Sequence, residues 1–235
     1  LQFHESADAL QIGHAFICHQ WARVGFEPGD LLMRIRGSVK PTNFITYNPF
    51  VNAFDFSPKI DGRDATLYYL DKMRQFGGVF LHGYPSAIAI YASLIKRFGL
   101  RVPFRLRAVL FASEAIHRWE REIVEEVFNC RVFGLYGMAE KVVLAAECES
   151  TQQYHCIPQY GFTEFLPQTN EIIGTGFINQ ANPFIRYRTS DIAVQPSVHP
   201  CGQCGRGYYP ILSDIECRLE DFVVTFNVSL LSPAA

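Results

Sequence analysis

Apolar positions recur at two different spacings along this chain, and the change from one to the other divides it. Residues 7–24 carry a broad apolar pattern that stops at Gly25, which predicts a helix. Glu27-Pro28-Gly29-Asp30 reads as a turn, and residues 31–35 as a strand. The aromatic stretch 44–56, interrupted by Asn and Pro, fits neither spacing. Asp64 is placed to cap a helix running to Arg74, and residues 78–82 form a buried strand. Pro85-Ser86 opens a helix over 85–98, with Gly99 where a left-handed cap is expected. Residues 106–111 and 131–135 are further strands. Between them 117–128 is amphipathic, with Trp119, Ile123, Val124 and Val127 on one side and acidic residues on the other. Strand–helix–strand–helix–strand with short connections predicts an α/β fold with a parallel sheet and right-handed crossovers.

Beyond Gln159 the spacing shortens. Residues 160–166, 171–178, 185–187 and 192–195 are strand-like runs broken by Gly, Pro and Asn, and two more follow Cys217. The expected organisation is an α/β subdomain over 1–150, a smaller β-rich subdomain over 151–216, and a last piece over 217–235. No internal repeat or low-complexity segment interrupts it.

Composition narrows the functional classes. A chain of 235 residues with 49% hydrophobic residues, 20 Phe and 11 Tyr can bury a core. A net charge of -2 supplies no basic field, so nucleic acid is not an expected partner. No apolar run is long enough for a membrane span, and no charged n-region precedes an apolar stretch. The first residue is Leu1, so the chain is expected to be a piece of a longer product. Seven irregularly spaced cysteines argue for a reducing compartment, and a cytoplasmic location is expected.

Two strings carry chemistry. Tyr136-Gly137-Met138-Ala139-Glu140 follows a predicted strand and so falls at the carboxyl edge of the sheet, where ligands bind in such folds. There Gly137 admits a close backbone, Tyr136 offers a ring to stack on a base, and Glu140 is a hard oxygen donor suited to Mg²⁺. Downstream, Phe184-Ile185-Arg186-Tyr187-Arg188-Thr189-Ser190-Asp191 ends in a carboxylate that can accept hydrogen bonds from two adjacent ribose hydroxyls. Each string alone also fits a solvated turn.

Together and in this order they resemble two core motifs of the adenylate-forming (acyl-CoA ligase) superfamily, which read Tyr-Gly-x-Thr-Glu and Tyr-Arg-Thr-Gly-Asp. Residues 80–235 are most similar to the phenylacetate–CoA ligase-like group and its capsular-polysaccharide-biosynthesis branch. Leu81-His82-Gly83-Tyr84-Pro85-Ser86, Ala112-Ser113-Glu114, Tyr154-His155, Gly174-Thr175-Gly176-Phe177-Ile178-Asn179 and Cys204-Gly205-Arg206 extend the likeness. The resemblance implies ATP-dependent activation of a carboxylic acid as its acyl-adenylate. Transfer to CoA or another acceptor nucleophile would follow, and an aromatic acid is one candidate substrate. It implies Tyr136 against adenine, Glu140 on a magnesium ion, Asp191 on the ribose, and Ser113, Glu114 and Gly137 around the nucleotide. Arg218 and Arg206 are the cations expected to approach it, a surface arginine being the plain alternative for either, and His82, Tyr84 and Pro85 are expected to line the acid pocket, with a packed or capping histidine the alternative for His82. For Arg186 and Arg188 structural ion pairs are the expectation.

The match is incomplete. Ala139 stands where the motif has a hydroxyl residue, Ser190 replaces its Gly, Cys217 replaces the Gly before Arg218, and Asn227-Val228 stands for Asp-Gly. The superfamily's Ser/Thr/Gly-rich phosphate loop is expected just before Leu1. Its lysine-bearing C-terminal lid is expected after the hinge at Asp221, and no lysine follows Lys141. The chain thus reads as the central body of a ligase. A catalytically inactive, nucleotide-binding or zinc-stabilised remnant is the alternative.

Cys201-Gly202-Gln203-Cys204-Gly205 makes a second, independent claim. Two thiolates separated by two residues in a Gly-rich turn resemble half of a structural zinc site. Cys148 and His155 are the expected other half, as matching places in similar enzymes imply. Cys156 and Cys217 are spare candidates, and unligated thiols the plain alternative. A redox pair would open a helix after a strand, which this turn does not.

Overall fold

The computed structural model describes residues 2–36, 45–199, 201–206, 209–218, 223–224 and 230–231. Its first helix, α1 (Ala7–Trp21), runs into a 3-10 turn, Ala22–Val24, and both stop where Gly25 takes a left-handed φ of 86°. The strands and helices that follow are β1 (Leu32–Ile35), β2 (Ile45–Asn48), β3 (Ala53–Phe56), α2 (Arg63–Phe76), β4 (Phe80–Gly83), α3 (Pro85–Arg97), β5 (Ala108–Ala112), α4 (Arg118–Phe128) and β6 (Arg131–Gly137).

The helix boundaries have local causes. Pro85 sits at the first turn of α3, where a missing N–H costs nothing. The N–H of His117 donates to Glu120 at 3.0 Å and closes the start of α4. Gly99 takes a φ of 61° just beyond α3. The ambiguous 44–56 stretch contains the β2–β3 hairpin, whose antiparallel partners include Tyr47 and Phe54.

Packing divides the chain into two units, residues 18–135 and residues 1–17 with 136–235. In the first, β6, β5, β4, β1 and β3 are consecutive parallel neighbours, and β2 closes the edge antiparallel to β3. Alternation along the strands gives the sheet two faces. Met33, Leu81, Val109 and Val132 share one face and pack with Tyr69 and Met73 of α2, Ile88 and Tyr91 of α3, and Val124 and Phe128 of α4. The opposite face carries one row, Asp55, Arg34, His82, Leu110 and Phe133, in register across five strands.

Arg34 and Asp55 form a buried two-pronged ion pair, 2.6 and 2.8 Å, in that row. His82 donates from Nδ1 to the Leu110 carbonyl at 2.8 Å and meets the Trp21 ring edge-on. Burial holds the His82 imidazole down at about 4, the Leu110 bond opposes this, and the charges of Arg36 and Arg34 lower it further against a smaller effect of Asp55. The unfolded chain takes up the same proton near 6.5. Between those values the unfolded state binds more protons, so this contribution is full above 6.5 and is lost as pH falls toward 4, by up to roughly 3 kcal/mol. Urea unfolding of His82→Gln is expected to depend less on pH across that window than the parent chain.

The second unit contains elements that the sequence pattern does not predict. After β6 come β7 (Leu144–Glu147) and β8 (Tyr154–Cys156), antiparallel to each other, and β12 (Ile211–Leu212) pairs antiparallel with β8. A separate antiparallel sheet holds β9 (Gly161–Phe165), β10 (Glu171–Gly176), β11 (Tyr187–Val194) and β13 (Asp214–Arg218), in the order β13-β11-β10-β9. Val142, Val143 and Ala145 share a core with Ile172, Ala193 and Leu212. Packing therefore groups residues 136–150 with the β-rich part. A last pair, β14 (Val223–Val224) and β15 (Leu230–Leu231), is antiparallel. The expected hinge at Asp221 and Asn227-Val228 lie outside the described residues.

Candidate functional site

Two close backbone approaches fix the turn that carries Glu140. A Cβ on Gly161 would lie 2.1 Å from the Val142 carbonyl oxygen, and one on Gly176 would lie 2.9 Å from that of Lys141. Only glycine lets β9 and β10 cross residues 141–142 this closely. The Gly174-Thr175-Gly176 string therefore has a steric role beside the turn. Lys141 itself has a φ of 56°, donates its N–H to Met138 and pairs through Nζ with Glu5 at 2.8 Å.

β11 meets this turn through side chains. Tyr136 donates its hydroxyl to Asp191 Oδ2 at 2.7 Å, and Tyr187 donates its own to Glu140 Oε1 at 2.8 Å. The tyrosine of each motif thus holds the carboxylate of the other. Burial, reinforced by the Asp191 charge, raises the Tyr136 phenol, so it stays protonated as the donor. Asp191 is further set by Thr189, whose hydroxyl donates to the Ile172 carbonyl and accepts the Asp191 N–H. The backbone at Arg218 pairs with Asp191 across β13.

The bulge that turns β11 at this point passes through Ser190, at a φ of 64°. Left-handed backbone costs an L-residue about 1–2 kcal/mol, which accounts for the glycine preferred in the motif. Ser190→Gly is expected to raise stability by about 0.5–1 kcal/mol, read from the denaturant midpoint.

Both neighbouring arginines are in ion pairs. Arg188 donates to Glu171 from two nitrogens, and Arg186 reaches Glu164 at 3.2 Å. Arg206 is engaged on both terminal nitrogens by Glu149, each at 2.8 Å. The pair takes two of its five N–H donors and sets the guanidinium beside the cysteine turn.

In the other unit, the Tyr84-Pro85 and Ser113-Glu114 segments meet at the carboxyl ends of β4 and β5. Glu114 accepts the Ser86 N–H at 3.2 Å, at the first turn of α3, and Ser113 has a φ of 74°. Pro85 is buried, and the Arg36 guanidinium lies 6.0 Å from the Tyr84 ring centre. His82 lies behind them, buried and engaged as described above.

The four expected metal donors converge. Cys148 follows β7, His155 lies in β8, and Cys201 and Cys204 belong to the Gly-rich turn, yet their ligand atoms all lie within 4.8 Å of one another. Cys204 Sγ is 3.5 Å from His155 Nε2. Cys148, His155 and Cys201 are buried. Tetrahedral zinc with roughly 2.3 Å bonds to sulfur needs donors about 3.8 Å apart. Three sulfurs and one imidazole at this spacing fit that ion without rearranging the backbone. Cys156 faces the core beside Tyr154, and the Cys217 side chain lies outside the described residues. The Glu149–Arg206 pair ties the loop after Cys148 to the end of the cysteine turn. Nothing in the sequence pairs these residues, which lie 57 positions apart. Among the described residues no helix is long and apolar enough to cross a membrane.

Comparison with known proteins assigns the fold to a class: it is that of the adenylate-forming ligases. The chain aligns over its full length with 55% of a 2-hydroxyisobutyryl-CoA ligase in complex with R3-HIB-AMP in the postadenylation state, at a TM-score of 0.70 and 16% identity. It also aligns with an anthranilate CoA ligase crystallised with anthranoyl-AMP, at a TM-score of 0.55 and 12% identity, over 93% of this chain and 45% of that one. Among curated proteins it is similar to Protein CapK of Staphylococcus aureus, 25% identical over 156 residues, which is 63% of this chain and 33% of CapK. The chain spans about a third of CapK and about half of the ligases. No family model matches the sequence.

Proposed function

We propose that this chain is the nucleotide-gripping body of an enzyme that activates a carboxylic acid with ATP. The observation that carries the reading is the reciprocal pair Tyr136–Asp191 and Tyr187–Glu140, which brings both motif carboxylates under fixed donors. The adenylates crystallised with two ligases of this fold support it.

In this reading Tyr136 stacks on adenine through its ring while its hydroxyl holds Asp191 for the ribose hydroxyls. Glu140, held by the Tyr187 hydroxyl, would be the residue to hold magnesium. Magnesium, when bound, neutralises charge on the phosphate oxygens. The substrate carboxylate attacks the α-phosphorus and pyrophosphate leaves, and CoA or another nucleophile then attacks the acyl carbon of the adenylate and AMP leaves. The chain contributes positioning and charge compensation, with no covalent enzyme intermediate. Arg218 is the proposed cation near the nucleotide. Ser113, Glu114, Tyr84 and Pro85 are proposed at the substrate end, and an aromatic acid is one candidate. Zinc on Cys148, His155, Cys201 and Cys204 would be structural; a cytoplasmic location and a role in capsular polysaccharide synthesis are proposed from the sequence resemblance, with which the similarity to CapK is in keeping.

The test is pyrophosphate release from ATP and magnesium across a panel of carboxylic acids, with hydroxylamine trapping the activated acyl group. Acid-dependent release with a trapped hydroxamate supports catalysis. Nucleotide binding without release favours an inactive body, a reading to which Ala139 contributes because it offers no hydroxyl to a phosphate or carboxylate oxygen.

A further inference from the structure

Tyr187 lies inside a motif whose carboxylate is Asp191, yet its hydroxyl serves Glu140, 47 residues away, at 2.8 Å. The bond goes to Oε1 alone. Free rotation would present either carboxylate oxygen or both, whereas a donor fixed on Oε1 presents Oε2 in one direction. Donors of this kind orient metal-binding carboxylates, and their loss typically weakens metal binding or activity by roughly 10–100-fold. Tyr187 is itself held: its ring meets Phe184 edge-on at 5.0 Å, and Phe184 meets Phe3 at 5.4 Å. Its backbone is paired with Gly174 in the β10–β11 ladder. The donor therefore sits on a strand and an aromatic stack, so its hydroxyl is a rigid partner for the rotatable carboxylate of Glu140.

We propose that Tyr187 is the positioning residue that sets the magnesium requirement of this site, by fixing Glu140 so that Oε2 faces the metal. This rests on the nucleotide reading above. Phenylalanine at 187 keeps the ring in the stack and removes only the donor, so a change in packing and a change in metal handling can be told apart.

The test is calorimetric titration of ATP into the full chain at a series of magnesium concentrations, with metal-free AMP titration and thermal unfolding as companions. For Tyr187→Phe the magnesium needed for half-maximal ATP binding is expected to rise roughly tenfold. AMP affinity without metal should stay within about twofold, and the thermal midpoint should move little. In a Glu140→Gln background the same substitution should add little, because the two act through one bond. An unchanged magnesium requirement in Tyr187→Phe, with magnesium-dependent ATP binding intact in the parent chain, overturns the role of Tyr187 and leaves the nucleotide reading standing. Equal loss of AMP and ATP binding in the variant overturns it too, as a structural effect. A parent chain that binds neither nucleotide defeats the nucleotide reading, and this inference with it.

Discussion

A strong chelator is expected to lower the thermal midpoint of this chain by roughly 10 °C, and Cys201→Ser to do the same while reducing bound zinc. The expectation follows from where the four donors sit. Cys148 and His155 belong to the paired β7–β8 hairpin, whereas the Cys201–Cys204 turn packs on them in a small cluster that, among the described residues, has Ile211 as its buried non-cysteine member. Structural zinc contributes roughly 10–16 kcal/mol in small peptides that have no other core. This unit has its own core, built on Val142, Ile172 and Leu212, so a smaller share, about 4 kcal/mol, is expected here. For a chain of this length each kcal/mol shifts the midpoint by about 2–4 °C. Elemental analysis of the untreated protein is the companion measurement. One zinc per chain, released with the drop in midpoint, agrees with the account. A chain without zinc, and indifferent to chelator, would leave the cluster as buried thiols.

Glu140→Ala is expected to weaken magnesium-dependent ATP binding roughly 100-fold while leaving metal-free AMP binding in place. The two effects separate because the carboxylates do separate work. Asp191 is held by Tyr136 and Thr189, neither of which depends on Glu140. Glu140 is partly exposed and accepts from the Tyr187 hydroxyl, so its removal leaves a hydroxyl that water can satisfy. The fold should therefore persist, and circular dichroism with a melting curve would establish that before any binding is compared. ATP affinity that keeps its magnesium dependence in Glu140→Ala would remove this residue from the metal site.

The parts legible in the sequence were those whose causes are local. Gly25, Pro85 and Gly99 mark helix boundaries by their own backbone preferences, and α4 announces itself by amphipathic spacing. β7 and β12 were not legible. Leu144-Ala145-Ala146-Glu147 carries no β-branched residue, and Ile211-Leu212 is too short for any period to show; both are strands because neighbours offer them hydrogen bonds. The motif residues could be named because the strings are distinctive. Their cross-bonding could not, because the pairs lie 47 and 55 positions apart and join a turn to a bulged strand. Arg206 shows the same limit in reverse. Its place beside Cys204 was visible, but Glu149, which engages both ends of its guanidinium, is near it only in three dimensions. Ser190 looked like a departure from the motif, and its positive φ gives the departure a physical cost.

The most direct measurement is calorimetric titration of AMP into the full chain without metal, in parallel with Asp191→Asn. AMP carries no β- or γ-phosphate, so the adenine and ribose contacts are read without the pyrophosphate and without magnesium. The account predicts saturable one-to-one binding in the parent chain and its loss in Asp191→Asn. Absence of saturable binding, or equal binding by both proteins, would contradict the assignment of Tyr136 and Asp191 to a nucleotide.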